Sequence, residues 1–375
     1  MFRYYIAKIK RLLVKFLSAF MPTSQMRKDF RHKFFLDIYE MPTIKSNYYG
    51  KIYMPYYPNF QMPSTLPDLY NKEGRKIELF FLRNRVAGTV YSKSKYFEWD
   101  RYNIGLDVHF YKHGAILETM GFPKERYGLF SESESIIPHE YAIFKKHKGI
   151  EKDFNAIFTY SEELLETLDN AKFFPLCSYI WYGQEIYKGV KDNTELSPEI
   201  YTTKNKNISM VCSSKRDTEM QKIRHYIAGE ALKTGKVDIF GGFMNGKRFD
   251  YKSRTLKDYR YQIVVENDIK PYYFTEKIMD CFASMTVPIY IGATKIDKFF
   301  NPDGIIKISE KTDLESVLKN CNEQDYQTRI DALKENYDRC LRYLCLNDLL
   351  YETYFMDRDK EGKEQVDLYK VLQRN

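Results

Sequence analysis

A carboxylate and an amide, Glu266 and Asn267, close the β-branched run "YQIVV". Tyr273, Thr275, Glu276 and Lys277 follow at the head of an apolar segment with helical spacing. Thr275 suits the cap position of that helix, where a hydroxyl accepts an orphan backbone N–H. Lys277 then falls in the first turn, beside the positive end of the helix dipole, where a cation is disfavoured unless something negative sits with it. An anion drawn to the helix terminus and paired with Lys277 would resolve the conflict, and Glu276 can accept hydrogen bonds from hydroxyls. The set fits a diphosphate ligand; a solvated lysine is the plainer alternative.

Elements must exist to hold these groups in place. "KIELFF", "GLDVHFY", "RYGLFSES" and "FNAIFTY" predict strands in the first half, the last followed by a helix with Ser161 at its cap. "ISMVCSS", "VDIFGG", "YQIVVEN" and "VPIYIG" predict strands in the second half. Between them lie a helix over "DTEMQKIRHYIAGEALKTG", ending at Gly235, and another from Thr275 to Met285. Strands alternating with helices imply parallel sheets with helical crossovers. The expected class is α/β, with two Rossmann-like domains facing a cleft. We divide the chain into a basic amphipathic N-terminal segment, 1–35, and an acceptor domain, 36–190. A donor domain, 191–345, and a charged helical tail, 346–375, follow. In such sheets ligands bind beyond the carboxyl ends of the strands, where Glu266 and Asn267 stand.

Length agrees with two domains, since 375 residues exceed what one core usually serves. The 33 tyrosines and 26 phenylalanines exclude a disordered chain. A net charge of +8, with acids interspersed among the bases, biases the surface mildly toward anions and gives no basic stripe for nucleic acid. Six cysteines without a C-x-x-C pair read as reduced thiols of a cytosolic protein. Near the N-terminus, Ile6, Ile9, Leu12, Leu13, Phe16, Leu17 and Phe20 recur at helical intervals, with five bases and no acid across residues 1–20. Lys8, Lys10, Arg11 and Lys15 interrupt the apolar run, so it is no spanning helix, and no small-residue cleavage site follows. It reads as a helix on an anionic membrane surface or as one packed on the protein's own core.

The stretch from Tyr259 to Pro302 resembles the donor-binding signature of the fucosyltransferases of glycosyltransferase family 10. That signature has a strand ending in Glu-Asn, a Tyr-x-Thr-Glu-Lys, an apolar helix and a Pro-Ile-Tyr-x-Gly. They correspond here to Glu266-Asn267, Tyr273 to Lys277, and Pro288 to Gly292. The resemblance implies two Rossmann-like domains of the GT-B type and inverting transfer of L-fucose from GDP-fucose to an acceptor sugar hydroxyl. It implies that Lys277 and Arg224 neutralise the diphosphate, that Glu276 binds donor hydroxyls and that Tyr273 touches the donor. It also implies no required cofactor; a divalent cation is possible but not indicated.

Inversion needs a base to deprotonate the acceptor hydroxyl. The resemblance places it at a strand end in the N-terminal domain, where "SESESIIP" offers Glu132 and Glu134. Glu132 is slightly preferred for its Glu-(five residues)-Pro spacing to Pro138. The acceptor is expected to be a GlcNAc-type sugar of lipopolysaccharide or surface polysaccharide. The expected location is the cytoplasmic face of a bacterial inner membrane. Two other readings stay open: a GT-B transferase using another nucleotide sugar, and a silent glycan-binding protein of the same fold. "DRD", Asp357 to Asp359, reads as a solvated charge run, and "GGFMNGK" as a loop without the phosphate-loop pattern. His139 and His225 read as packing or surface residues, and no metal spacing is evident.

Overall fold

The computed structural model describes residues 77–82, 94–100, 106–119, 123–175, 177–183, 194–245, 249, 251–356 and 368–374, with 9, 12–14, 16–22, 26, 27 and 30. Asp357 to Asp359 and Lys247 lie outside the described residues, as do Ile6 and the bases of 1–20. The chain forms two compact units.

The first unit holds a six-stranded sheet of β1 (Ile77–Leu82), β2 (Phe97–Asp100), β3 (Val108–Lys112), β4 (Glu125–Phe130), β5 (Ala156–Thr159) and β6 (Ala171–Phe173), in the order β2-β1-β3-β4-β5-β6. Every pairing is parallel. Strands β3 to β5 are buried over consecutive residues and not at alternate ones, as strands of a parallel sheet are. Phe110, Tyr127 and Phe158 stack across these strands with ring centroids 4.8 to 6.5 Å apart. Strands β2 and β6 escaped the sequence reading. Each is short, and pairing with a neighbour, not its own pattern, makes it a strand.

The start of the expected tail, 346–375, packs into the same core. Leu350–Lys370 returns to the first unit, and the helix Leu346–Tyr354 followed by Phe355 lays Tyr351, Tyr354 and Phe355 against Phe97, Phe110 and Phe158. The Tyr354 hydroxyl donates to the Phe173 carbonyl at the end of β6. Leu346, Leu350, Tyr351, Tyr354 and Phe355 are all buried, so this helix is part of the core.

The second unit opens at Cys177, earlier than the expected boundary at 190/191. The reason is local. Ile180 and Tyr182 are buried in the second unit's core, and the Trp181 and Tyr182 amides donate to Asp280 at 2.6 and 2.8 Å. Its sheet comprises β7 (Lys206–Val211), β8 (Val237–Phe240), β9 (Tyr259–Val265), β10 (Val287–Ile291) and β11 (Ile306–Lys307), all parallel, in the order β11-β10-β9-β7-β8. From β7 the chain passes to β8 on one side, then crosses back to β9 on the other. That reversal is a topological switch point, where two crossovers part and leave a crevice beyond the strand ends.

Two helices frame it. Glu219–Lys233 follows β7, with Thr218 accepting from the Gln221 amide. Glu276–Ala283 follows β9, capped by Thr275, whose hydroxyl accepts from the Lys277 amide. The second helix buries Ile278, Met279, Cys281, Phe282 and Ala283, at about 1.5–3 kcal/mol for each large apolar side chain. It stops where Met285 turns to φ 53°, which lets the Thr286 amide reach back to the Cys281 carbonyl at 2.8 Å.

Candidate functional site

The residues singled out in the second unit converge at the carboxyl ends of β7 and β9. Glu266, directly after β9, is fully buried. Its Oε1 accepts the Thr275 amide at 2.9 Å and its Oε2 accepts the Thr275 hydroxyl at 2.7 Å. This carboxylate therefore fastens the strand end to the start of the next helix. Gly292 makes room for it, because a Cβ there would collide with the Glu266 side chain and the Tyr290 hydroxyl.

Lys277 stands in the first turn as expected, yet its anion is partly the protein's own. Its Nζ lies 3.3 Å from Glu266 Oε2 and 3.1 Å from Glu276 Oε1, and it donates to Thr275 Oγ1 at 2.9 Å. Three donors meet three oxygens. About a fifth of the side chain, 21%, stays exposed, so Lys277 reaches the surface while its ammonium is held by these oxygens. The expectation of a lysine waiting for a ligand is thus revised: a phosphate would have to share it with two carboxylates.

Arg224, from the helix after β7, is buried at 8% exposure. Its Nε and Nη2 donate to the Val265 carbonyl at 3.0 and 2.5 Å, and Nη2 also donates to Asn267 Oδ1 at 2.9 Å. One edge of the guanidinium thus pins the end of β9, and Nη1 makes no hydrogen bond among the described residues. A guanidinium has five donors in a rigid fork, so fixing one edge aims the other. Tyr273 is buried beside this group, near enough to act on the charge of Arg224.

The electrostatics are those of a crowded, dry cluster. Burial pushes Glu266 above the usual carboxylate range, and the Lys277 charge only partly offsets this. Burial opposes ionisation of Glu276 too, but Lys277 and Lys252 together hold it below that range. Burial opposes the charge on Lys277, and Glu276 and Glu266 overcome it, so the ammonium is firmly charged. Arg224 is pushed down by burial, against the pull of Glu266. Two cations and two carboxylates cancel formally in this buried cluster, and the helix terminus adds a partial positive charge.

The sequence reading missed one ion pair. Asp280 is fully buried, with Lys252 Nζ 3.3 Å from Oδ2, and burial raises its pKa to about 6 despite that cation. A signal existed: Asp280 is an acid inside the apolar run "IMDCFA", one turn beyond Glu276. Lys252 also acts on Glu276.

In the first unit, Glu132 and Glu134 lie just past the end of β4, as expected for a strand-end carboxylate. The hydroxyls of Tyr141 and Tyr160 both donate to the Glu132 carbonyl, at 2.8 and 3.1 Å, and fix the turn. The Glu132 carboxylate accepts the Ser133 amide at 2.9 Å. That of Glu134 accepts the Ser161 hydroxyl at 2.5 Å, so Ser161 stands at its helix cap position but makes no side-chain capping bond. Nearby, and unforeseen, the buried Glu140 accepts the Gly114 amide at 3.2 Å and lies 3.4 Å from His113 Nδ1, while His113 Nε2 meets Ser131 Oγ at 3.2 Å. These residues are distant in sequence, and only the adjacency of β3 and β4 brings them together.

Among the other expectations, His139 Nε2 lies 4.0 Å from Glu140, and His225 accepts from Arg216 Nε at 3.0 Å and packs on Phe243. "GGFMNGK" begins as a loop after β8, and Gly241, at φ 103°, passes so close to the Cys212 carbonyl that no side chain fits. No group of three metal-ligating side chains is placed to hold an ion among the described residues.

The second unit is thus a doubly wound α/β sheet with a cationic cluster at its switch point, the setting in which such folds hold phosphates. Residues 201–371 match the family model described as glycosyltransferase family 10 (fucosyltransferase) C-term. The match contains Arg224 and the whole of 266–277. An alpha-(1,3)-fucosyltransferase FucT of Helicobacter pylori is 30% identical over 124 residues, which are 33% of this chain. The aligned part is about a quarter, 24%, of that protein's length. A crystal structure of an alpha1,3-fucosyltransferase is similar over 81% of this chain and 95% of that one, at 16% identity and TM-score 0.40. One with GDP-fucose is similar over 74% and 80%, at 18% identity and TM-score 0.35. TM-scores this low establish no shared fold.

Proposed function

We propose that the chain is an inverting glycosyltransferase that moves L-fucose from GDP-fucose to a hydroxyl of an acceptor glycan. The observation that carries this reading is the pairing of Arg224 and Lys277 at the β7/β9 switch point, inside a segment matching a fucosyltransferase family model. In the reaction, a carboxylate takes the proton of the acceptor hydroxyl. The oxygen then attacks the anomeric carbon from the face opposite the phosphate, and the bond to the β-phosphate oxygen breaks. GDP leaves with its negative charge.

Each residue has a part in this. Arg224 presents its outer edge to the diphosphate, and Lys277 neutralises charge that grows as the bond breaks, an interaction worth most when it strengthens toward the transition state. Glu276 receives hydroxyls of the donor sugar, with Tyr273 and Asn267 shaping the pocket and Glu266 and Thr275 holding Lys277 in position. Glu132 is our choice of base over Glu134, because among the described residues its carboxylate bonds only its neighbour's amide, whereas that of Glu134 is engaged by Ser161.

The acceptor we favour is a GlcNAc-type sugar of lipopolysaccharide or surface polysaccharide. The six cysteines are all free, which fits a reducing compartment, and we place the enzyme in the cytoplasm of a bacterium. The test is product analysis with GDP-fucose and competing nucleotide sugars against a panel of acceptor glycans. Fucose in inverted linkage on one acceptor class supports the reading. Transfer from another donor alone, or tight glycan binding without turnover, would replace it.

A further inference from the structure

The helix near the N-terminus is inside out. The described residues between 9 and 19 are helical. On that helix Val14 and Ser18 are buried, at 5% and 4% exposure. Ile9, Leu12, Leu13, Phe16, Leu17 and Phe20 are 42% to 70% exposed. At 100° per residue those six positions fall on one face, and positions 14 and 18, four apart, fall on the other. A helix on the surface of a globular protein does the reverse, turning its large apolar side chains inward. Here the small residues face the protein and the large ones face out.

Two contacts lie on this face and just past its end. The rings of Phe16 and Phe20 meet edge to face with centroids 5.2 Å apart. Arg27 Nη1 donates to the Met21 carbonyl at 2.8 Å, just past the end of the helix. Six outward apolar side chains side by side form a contiguous patch of the kind that marks an interaction surface. The sequence supplies the sign of the partner: residues 1–20 contain five bases and no acid.

We propose that this face seats on an anionic lipid surface, with the apolar side chains in the headgroup and acyl boundary and the net positive charge of residues 1–20 drawn to the anionic headgroups. A second copy of the chain is a poorer occupant, because a self-complementary contact would bring two uncompensated positive segments together. The helix lies on the surface and does not cross it, since no described helix is long and apolar enough to span a membrane. The proposal is independent of the sugar-transfer reading, because it uses no residue of that site.

The test uses the full chain and vesicles of phosphatidylcholine alone or mixed equally with phosphatidylglycerol. We expect co-sedimentation with the mixed vesicles only, fading as salt rises toward molar, where the screening length shrinks to about 3 Å. The variant Leu12→Ser/Phe16→Ser/Phe20→Ser should lose partitioning by about tenfold or more while its thermal melt matches the parent, since all three side chains are already exposed. Phe16→Trp should shift its fluorescence to the blue on adding mixed vesicles. Equal partitioning of the triple variant, or a tryptophan unmoved by lipid, overturns the proposal. So does a dimer in sedimentation equilibrium that the triple variant abolishes, which would make the face a contact between copies.

Discussion

The carboxylates of the two units are held in opposite ways. In the second unit Glu266 is buried and Glu276 nearly so, and both are tied to Lys277, with Arg224 and Lys252 close by. In the first, Glu132 and Glu134 are half-exposed; an amide donates to the Glu132 carboxylate and a hydroxyl to that of Glu134. Carboxylates buried against cations are fixed in position and hold those cations in turn, which suits a clamp for a permanently charged ligand. A carboxylate at a surface turn, outside a buried ion cluster, has an acceptor face open to another group, the geometry a base requires. The contrast is what the proposed roles rest on: donor binding by the second unit's cluster and proton transfer by a carboxylate of the first.

The sharpest way to break that division is at Glu132. Glu132→Gln keeps the shape and the Ser133 contact but cannot accept a proton. Turnover with GDP-fucose should fall by about a hundredfold or more, while GDP affinity by calorimetry stays within a factor of two or so, since no binding contact assigned here is touched. Glu134→Gln should cost far less. If Glu134→Gln is the crippled variant, the base lies two residues along; full activity in both would remove this turn from the chemistry.

Next in size are the two cations. Arg224→Ala and Lys277→Ala should each weaken GDP binding about tenfold or more, equivalent to about 1.4 kcal/mol or more. Arg224→Lys should not rescue, because an ammonium cannot hold the Val265 carbonyl and Asn267 while offering a second edge. Unchanged GDP affinity in both alanine variants would show that the cluster is only structural, with Lys277 serving the two glutamates and nothing else.

Asp280 tests whether burial or pairing governs the second unit. Its pKa is raised from 3.8 to about 6, so the folded state binds a proton that the unfolded state has already lost. Stability contributed by this group is therefore greatest below about pH 4 and declines as pH rises toward 6. At about 1.4 kcal/mol per pH unit the decline is on the order of 3 kcal/mol. Glu276, depressed by Lys277 and Lys252, works with the opposite sign and is lost only in stronger acid. Chemical denaturation from pH 4 to 7 should show a downward slope that Asp280→Asn flattens. A slope identical in the variant would mean that Lys252 holds Asp280 ionised throughout.

The smallest effect concerns the cap. Thr275→Val removes the hydroxyl that accepts the Lys277 amide and bridges Glu266 to the Lys277 ammonium. A loss of about 1–2 kcal/mol in urea denaturation is expected, with a modest weakening of GDP binding as Lys277 loses its register. A stability loss with unchanged GDP affinity would separate the cap from the clamp.

Much of this was legible in the residue order. Apolar runs of strand length alternating with capped helices determined two parallel α/β halves, because period and punctuation are local properties. A lysine behind Thr-Glu in a first turn announced an electrostatic demand for the same reason. Tertiary structure alone decided how that demand is met: Glu266 comes to Lys277 only because β9 and the following helix start are brought face to face. It alone set Arg224 against the Val265 carbonyl, since the helix after β7 meets the end of β9 only where the strand order reverses. It joined His113, Ser131 and Glu140 across β3 and β4, and it drew Tyr351, Tyr354 and Phe355 into a core far from them in sequence. It also turned the apolar face of the N-terminal helix outward, a choice that periodicity cannot make, because a stripe has the same period whether it faces a core or a membrane.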